Sequence, residues 1–149
     1  MPVSWFEIPL TLQEAIGAFV LSQPTLIEIR LSGLVFQSMK QVKSLLGLCK
    51  GLRTLEIDHT GVQEVGEMEA GGGGGVGRTT LDTLILGRLT PTLFVRSLLQ
   101  PSFPLRVDMI RKLCLSIPGD FAEFQALLHA SPSLETLELV LTTQCKLFP

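Results

Sequence analysis

The chain has 149 residues, which suits one domain of ordinary size whose core needs no disulfide or metal. Its net charge of −2 offers no general attraction for the polyanion of a nucleic acid. Apolar residues make up 46% of the chain, yet its unbroken apolar stretches are far shorter than the roughly 20 residues that a membrane-spanning helix needs. We therefore expect neither nucleic acid nor membrane as a partner.

A spaced apolar pattern recurs along the chain, with an apolar residue followed by two more, three and five positions later. A weak copy opens the chain at Val3-Phe6-Ile8, and stronger copies follow at Leu26-Ile29-Leu31, Leu52-Leu55-Ile57, Leu81-Leu84-Leu86, Ile110-Leu113-Leu115 and Leu134-Leu137-Leu139. The steps between copies are 23, 26, 29, 29 and 24 residues. Because alternate side chains of a strand face opposite sides, each copy predicts a strand with one buried face. A single copy cannot bury that face alone, so the copies are expected to stack.

The segments between the copies predict helices. In chain order, the signals are the capping box Thr11-Leu12-Gln13-Glu14 with Ile16, Phe19 and Val20 behind it; the apolar stripe of Phe36, Met39, Val42, Leu45 and Leu46; the start Thr90-Pro91 with an end at Pro101; and the start Asp120-Phe121-Ala122-Glu123 with Phe124, Leu127 and Leu128. Residues 61–80 instead predict a loop or short helix, with a flexible glycine-rich insertion near 66–78.

Two phrases carry a family resemblance. Ser131-Pro132-Ser133-Leu134-Glu135-Thr136-Leu137-Glu138-Leu139 and Leu45-Leu46-Gly47-Leu48-Cys49-Lys50-Gly51-Leu52 look like the repeat region of fungal F-box proteins, and the spacing resembles leucine-rich repeats of the ribonuclease-inhibitor-like kind. The resemblance implies an α/β leucine-rich-repeat solenoid, a horseshoe of about five to six strand–helix repeats with a parallel concave sheet, forming a single domain over residues 1–149. It also implies a protein-interaction module rather than an enzyme, with substrate recognition in a ubiquitin-ligase-like assembly as its setting.

The chain departs from that family in two places. Many such repeats carry Asn or Cys three residues after the last Leu of the pattern, whereas this chain has Leu34, Thr60, Leu89, Pro118 and Thr142 there. Irregular turns out of the strands are therefore expected. A strand predicted by Leu26 also leaves no room before it for a three-helix F-box, which argues against direct docking to a ligase scaffold.

Residues that alternate with the buried positions are expected to form the concave face. The predicted rows are Trp5, Glu28, Thr54, Thr83, Lys112, Thr136; then Glu7, Arg30, Glu56, Ile85, Cys114, Glu138; then Pro9, Ser32, Asp58, Gly87, Ser116, Val140. The partner-binding residues predicted from these rows are Trp5, Glu7, Glu28, Arg30, Glu56, Asp58, Lys112 and Glu138. Five acids against two bases give this face a net charge of −3, which favours a partner protein with a basic segment.

Purely structural interpretations of these residues, and of a basic group, also remain possible. Glu7, Arg30 and Glu56 could neutralise one another across neighbouring strands. Trp5 is either an anchor for a partner or a cap that packs over the first repeat. Lys40, Lys43, Lys50 and Arg53 form a basic group that is either a solvated helix face or a contact for an anion or partner.

Signals for catalysis or cofactors are weak. Residues 72–79 resemble a phosphate-binding loop, but Arg78 stands where that loop needs Lys, and a strand is predicted where it needs a helix. His59 is expected at a strand exit and His129 at a helix end, no Ser lies in a nucleophile-elbow pattern, and Cys114 lacks a neighbouring histidine. We predict no catalytic residue, no metal site and no cofactor, with nucleotide binding through Gly72 to Thr79 as the less favoured alternative.

Location and assembly follow from the cysteines and the chain ends. Cys49, Cys114 and Cys145 are odd in number and scattered, and Met1-Pro2-Val3-Ser4-Trp5 is no secretory start, so a cytoplasmic or nuclear protein is expected. Only about ten residues follow the last copy, too few for another repeat. An incomplete solenoid without independent activity is thus the alternative function, and self-association through exposed ends is expected.

Overall fold

In the computed structural model of the chain, the repeated pattern becomes a parallel sheet with helices packed on one face. The structure describes residues 3–23, 25–63, 78–88, 92–117 and 122–141. Its elements, in chain order, are β1 (Val3–Ser4), α1 (Leu10–Ser22), β2 (Glu28–Ser32), β3 (Leu34–Phe36), α2 (Met39–Gly47), β4 (Thr54–Asp58), β5 (Gly61–Val62), β6 (Thr79–Thr80), β7 (Thr83–Leu86), α3 (Thr92–Leu98), β8 (Leu105–Arg106), β9 (Lys112–Ile117), α4 (Ala122–His129) and β10 (Thr136–Leu141). Among these described helices, none is long and apolar enough to cross a membrane.

The central sheet has five parallel strands in the order β2, β4, β7, β9, β10, so that strands succeed one another in space as they do along the chain. The predicted α/β class with a parallel sheet is confirmed. The five strong copies of the apolar pattern supply these five strands, with equivalent residues side by side. The first residues of the strands, for example, form the row Glu28, Thr54, Thr83, Lys112 and Thr136.

A repeated hydrogen-bond arrangement fixes this register where the strands begin. The carbonyl of Ile27 accepts bonds from the N–H groups of both Arg53 and Thr54, at 2.8 and 2.9 Å. The carbonyls of Arg53, Asp82 and Arg111 each receive the same pair of bonds from the segment that follows. Because a shift of one residue would break this arrangement and turn the apolar residues to solvent, one alignment of the strands is strongly favoured.

The core lies between the sheet and the helices. Leu55, Leu84 and Leu113, in the middle of three neighbouring strands, are fully buried. The apolar stripes of the helices close over them; the buried apolar residues of the helices are Val20, Met39, Val42, Leu45, Leu46, Phe94, Val95, Leu98, Phe124 and Leu127. The predicted stripes of the second and fourth helices therefore face the core, although Phe36, predicted within the second helix, belongs to β3.

Two short parallel sheets accompany the central one, β1-β3-β5 and β6-β8. The chain turns a corner between β2 and β3 at Gly33, with φ of 68°, and at the equivalent place between β4 and β5 at His59, with φ of 48°. The buried hydroxyl of Thr60 lies 3.1 Å from the carbonyl oxygen of Leu31 and 3.0 Å from that of Asp58. Thr60 stands where many leucine-rich repeats carry Asn or Cys. Its hydroxyl thus satisfies backbone hydrogen-bond acceptors inside this corner.

Several local predictions are wrong. The weak first copy is not a strand of the central sheet: β1 joins β3, and Trp5–Glu7 is a 3₁₀ turn. The first helix begins at Leu10 after Pro9, so Thr11 lies within the helix rather than capping it. The described ends of the 61–80 region are strands, β5 and β6, rather than loop or helix.

Other predictions fall outside the described residues. These are the glycine-rich insertion apart from Arg78, the helix-start signals at Thr90-Pro91 and Asp120-Phe121, the turn positions Leu89, Pro118 and Thr142, and Cys145.

Candidate binding face of the central sheet

The face of the central sheet opposite the core carries three rows of residues, which we call the polar face. The rows are Glu28, Thr54, Thr83, Lys112, Thr136; Arg30, Glu56, Ile85, Cys114, Glu138; and Ser32, Asp58, Gly87, Ser116, Val140, where Gly87 directly follows the end of β7. Neighbours within a row stand on hydrogen-bonded strands, about 4.8 Å apart. Residues far apart in the chain therefore form one continuous surface, and no residue of these rows is fully buried.

Six of the eight predicted partner-binding residues lie on this face, and Trp5 and Glu7 do not. Trp5 stacks on Phe36 with ring centroids 5.4 Å apart. It therefore packs over the end of the core, in agreement with its interpretation as a cap. The Glu7 carboxylate accepts a bond from the N–H of Ser4 at 3.3 Å. Pro9, predicted on the third row, precedes α1 instead. Without Glu7 the face has four carboxylates and two cations, a net charge of −2.

Arg30 is neutralised by its neighbours. Its Nε lies 3.0 Å from a Glu28 oxygen on the same strand and 3.2 Å from a Glu56 oxygen on β4. The hydrogen bond to Glu28, followed by the charges of both glutamates, raises the pKa of the Arg30 guanidinium. The arginine side chain is 69% exposed, so these pairs orient charges on the surface and contribute little to stability.

Asp58 has a structural role as well as a partly exposed position. One carboxylate oxygen accepts the backbone N–H of Arg88 at 2.8 Å, and the other lies 3.0 Å from Nδ1 of His59. The approach depends on Gly87, because a Cβ built there would lie 2.8 Å from Asp58 Cγ. Asp58 thus helps to hold the chain where β7 ends, which makes it a poor residue to alter in a test of binding.

The centre of the polar face is less polar than its flanks. Ile85 stands between Glu56 and Cys114 in the middle row, and all three are partly exposed. The Cys114 thiol lies 3.3 Å from a Glu138 oxygen. Burial raises the pKa of that thiol, and the hydrogen bond and charge of Glu138 raise it further, so less of Cys114 is present as the reactive thiolate.

Spacing defines what the middle row can bind. Glu56 and Glu138 are separated by three strand steps, roughly 14 Å, with the apolar pair Ile85 and Cys114 between them. Two carboxylates on either side of an apolar patch can hold two cationic groups that flank an apolar side chain.

Arg78 and Thr79 are the described residues of the segment that resembles a phosphate-binding loop, and both form hydrogen bonds with other parts of the chain. The Arg78 guanidinium donates to the carbonyls of Phe103 and Leu105, with N to O distances of 2.9 and 3.0 Å. Thr79 begins β6, and its hydroxyl lies 3.4 Å from the Cys49 carbonyl. A strand rather than a helix therefore follows Arg78 in the chain.

One cavity has no counterpart in the sequence pattern. A shallow space of about 600 Å³ lies near the beginnings of the strands, with Lys50, Arg53, Arg78 and Arg111 around it together with Asp82. Three separate chain segments contribute, and no sequence spacing links them. Lys40 of the predicted basic group lines a different groove beside α1, so that group is divided between two places.

Metal-binding chemistry has no visible basis in the part of the chain that is described, where no cluster of three His, Cys, Asp or Glu residues occurs. Cys49 is buried, and burial raises the pKa of its thiol to about 11. His59 faces Asp58, while His129 lies in the last turn of α4.

Neither known protein families, nor characterised proteins, nor solved structures show a match to this chain.

Proposed function

We propose that this chain is a leucine-rich-repeat module that binds another protein on the polar face, the concave face of the expected solenoid. The observation that carries the proposal is the register of the middle row, Arg30, Glu56, Ile85, Cys114 and Glu138, along one accessible surface. Interfaces of this kind centre on apolar side chains with a polar rim. The middle row has that order, with Ile85 at its centre.

The partner we propose is an extended basic segment of a protein. Arg30 already balances part of the charge of Glu28 and Glu56, whereas Glu138 stands at the far side of the row beside a neutral thiol. A partner with Lys or Arg near Glu138 and Glu56, and an apolar residue over Ile85, would complement both charge and surface. The threonines at 54, 83 and 136 would add hydrogen bonds along the first row.

The resemblance to the repeat regions of fungal F-box proteins suggests the functional context of this binding. Repeat regions of that family recognise substrates in ubiquitin-ligase assemblies, and we propose the same role for this polar face, in a protein that is not itself an enzyme. The proposal for the face does not depend on that setting.

Selection from a random peptide display library tests the proposal, because the library samples basic and non-basic segments alike. We expect selected peptides to be enriched in Lys or Arg on both sides of an apolar residue. The double variant Glu56→Gln/Glu138→Gln should weaken binding of such a peptide at least about tenfold, as expected for the loss of two charge contacts.

A matched control separates local contacts from overall charge. Glu14→Gln/Glu123→Gln removes two carboxylates from α1 and α4 and changes the net charge equally. This control should leave binding within about twofold of the unaltered chain, because charges on the helices, across the core from a bound segment, are screened by salt. Equal losses in both double variants, or a selection without basic residues, would contradict the proposal.

A further inference from the structure

The two ends of the described chain carry different parts of one structural unit. In the first full unit a strand of the central sheet, β2, is followed by the short strand β3 and then by the helix α2. At the amino-terminal end, β1 and α1 precede β2, and no described strand of the central sheet comes before them. At the other end β10 is a strand of the central sheet, and no described short strand or helix follows it.

The register shows that these parts correspond. Val3 of β1 lies beside Leu34 of β3, so β1 occupies the place of a short strand one unit earlier. The helix α1 is joined to β2 by residues 23–27, much as α2 is joined to β4 by residues 48–53. An incoming β1 and α1 would therefore supply β10 with the two elements that β3 and α2 supply to β2.

Apolar surface is exposed at both ends. Leu137 and Leu139 of β10 are 43% and 51% exposed, whereas their neighbours in register, Leu113 and Leu115, are buried. On α1, Leu12 is 50% and Phe19 57% exposed. Exposed apolar residues grouped on one surface are typical of contacts between proteins.

One pair of opposite charges matches in register across the two sheet edges. Arg30 is the middle-row residue of β2, and Glu138 holds the same position on β10. If a second β2 extended the sheet in the same register, Arg30 of that copy would stand beside Glu138. Arg30 makes this kind of contact with Glu56 inside the chain, at 3.2 Å.

We infer that copies of this chain associate head to tail, with β2 of one copy beside β10 of another and α1 covering Leu137 and Leu139. The contact joins two different surfaces, so each added copy leaves a new free end, and the assembly grows beyond a dimer. This inference does not depend on the partner proposed for the polar face.

Sedimentation analysis over a wide range of protein concentration tests the inference. The weight-average mass should rise past that of a dimer. Leu139→Glu should lower the association constant at least about tenfold, because it places a charge in an apolar contact. Met109→Glu is the control, since Met109 is 48% exposed and precedes β9 rather than belonging to β10 or α1. It should associate like the unaltered chain.

Mixing two blocked variants identifies the geometry. Leu139→Glu blocks the β10 end, and Phe19→Glu blocks the α1 end; both replace exposed residues, and circular dichroism confirms that each variant folds. Either alone should stay monomeric, while the mixture should form one-to-one dimers and stop there, because each variant retains one usable end. A monomer at all concentrations, a dimer that grows no further in the unaltered chain, or a mixture that fails to pair would overturn the inference.

Discussion

The Asp58 carboxylate occupies the space that a side chain at Gly87 would need. It reaches across from β4 to accept the N–H of Arg88 at 2.8 Å, directly after Gly87. A Cβ on Gly87 would overlap this carboxylate, with Asp58 Cγ only 2.8 Å away. The missing side chain at residue 87 is thus what allows two neighbouring strands to be tied together at their ends.

Gly87→Ala should therefore destabilise the chain by about 1–3 kcal/mol, since Asp58 must move and its bond to Arg88 weakens. Chemical denaturation measures the loss. Gly61→Ala is the matched control, because a Cβ there would meet Val35 at an ordinary 3.8 Å. If the two alanine variants were equally stable, the contact between residues 58 and 87 would not matter to folding.

Gly33→Ala should also cost about 1–2 kcal/mol, but for a conformational reason. Gly33 has a φ of 68°, and a Cβ there would meet nothing within 4 Å. The cost would come from the left-handed backbone alone. Gly33→Asn, which tolerates that conformation better, should recover part of the lost unfolding free energy. Equal losses for Ala and Asn would argue against this explanation.

Arg78→Ala should lower the unfolding free energy by about 1–3 kcal/mol, because the carbonyls of Phe103 and Leu105 lose their donors. Arg88→Ala, which removes an exposed side chain, should change it by less than about 0.5 kcal/mol. Since Arg78 is engaged in this way, millimolar ATP should leave the melting temperature unchanged. A clear rise with ATP would revive the nucleotide alternative.

The Cys114 thiol should react with iodoacetamide more slowly at neutral pH than an ordinary cysteine. Burial and Glu138 raise its pKa, so less thiolate is present at a given pH. In a Cys145→Ser background the midpoint of the rate against pH should move down with Glu138→Gln. Glu135→Gln should leave it in place, because Glu135 pairs with Arg111 instead. If Glu138→Gln left the midpoint unchanged, the contact between the Cys114 thiol and Glu138 would be refuted.

The strands were predictable because their signal is local and repeated. Leu52, Leu55 and Ile57 carry both the period of a strand and the phase of its neighbours, and a parallel sheet with sequential order then follows. The same signal located six of the eight predicted face residues. It failed at Trp5 and Glu7, where three loosely spaced apolar residues, Val3, Phe6 and Ile8, satisfied the pattern without forming a strand of the central sheet.

The short strands and the side-chain contacts of the polar face depend on the three-dimensional structure, and the spacing of residues in the sequence does not predict them. The short strands β3 and β5 are two or three residues long, so they have no periodicity to detect, and their pairing is settled by the corners at Gly33 and His59. Neutralisation of Arg30 by acidic neighbours was predicted from the sequence only as an alternative to partner binding, and its contacts with both Glu28 and Glu56 are seen in the structure. The engagement of Asp58 with Arg88 needed the three-dimensional position of Gly87.

The central claim is that the polar face is the surface that binds a partner. It is tested most directly by nuclear magnetic resonance, with a selected basic peptide titrated into isotope-labelled protein. We expect the largest amide shifts on the middle row, at Glu56, Ile85, Cys114 and Glu138, and small shifts on α2 and α3. Shifts concentrated on the helices, with the middle row unmoved, would contradict it.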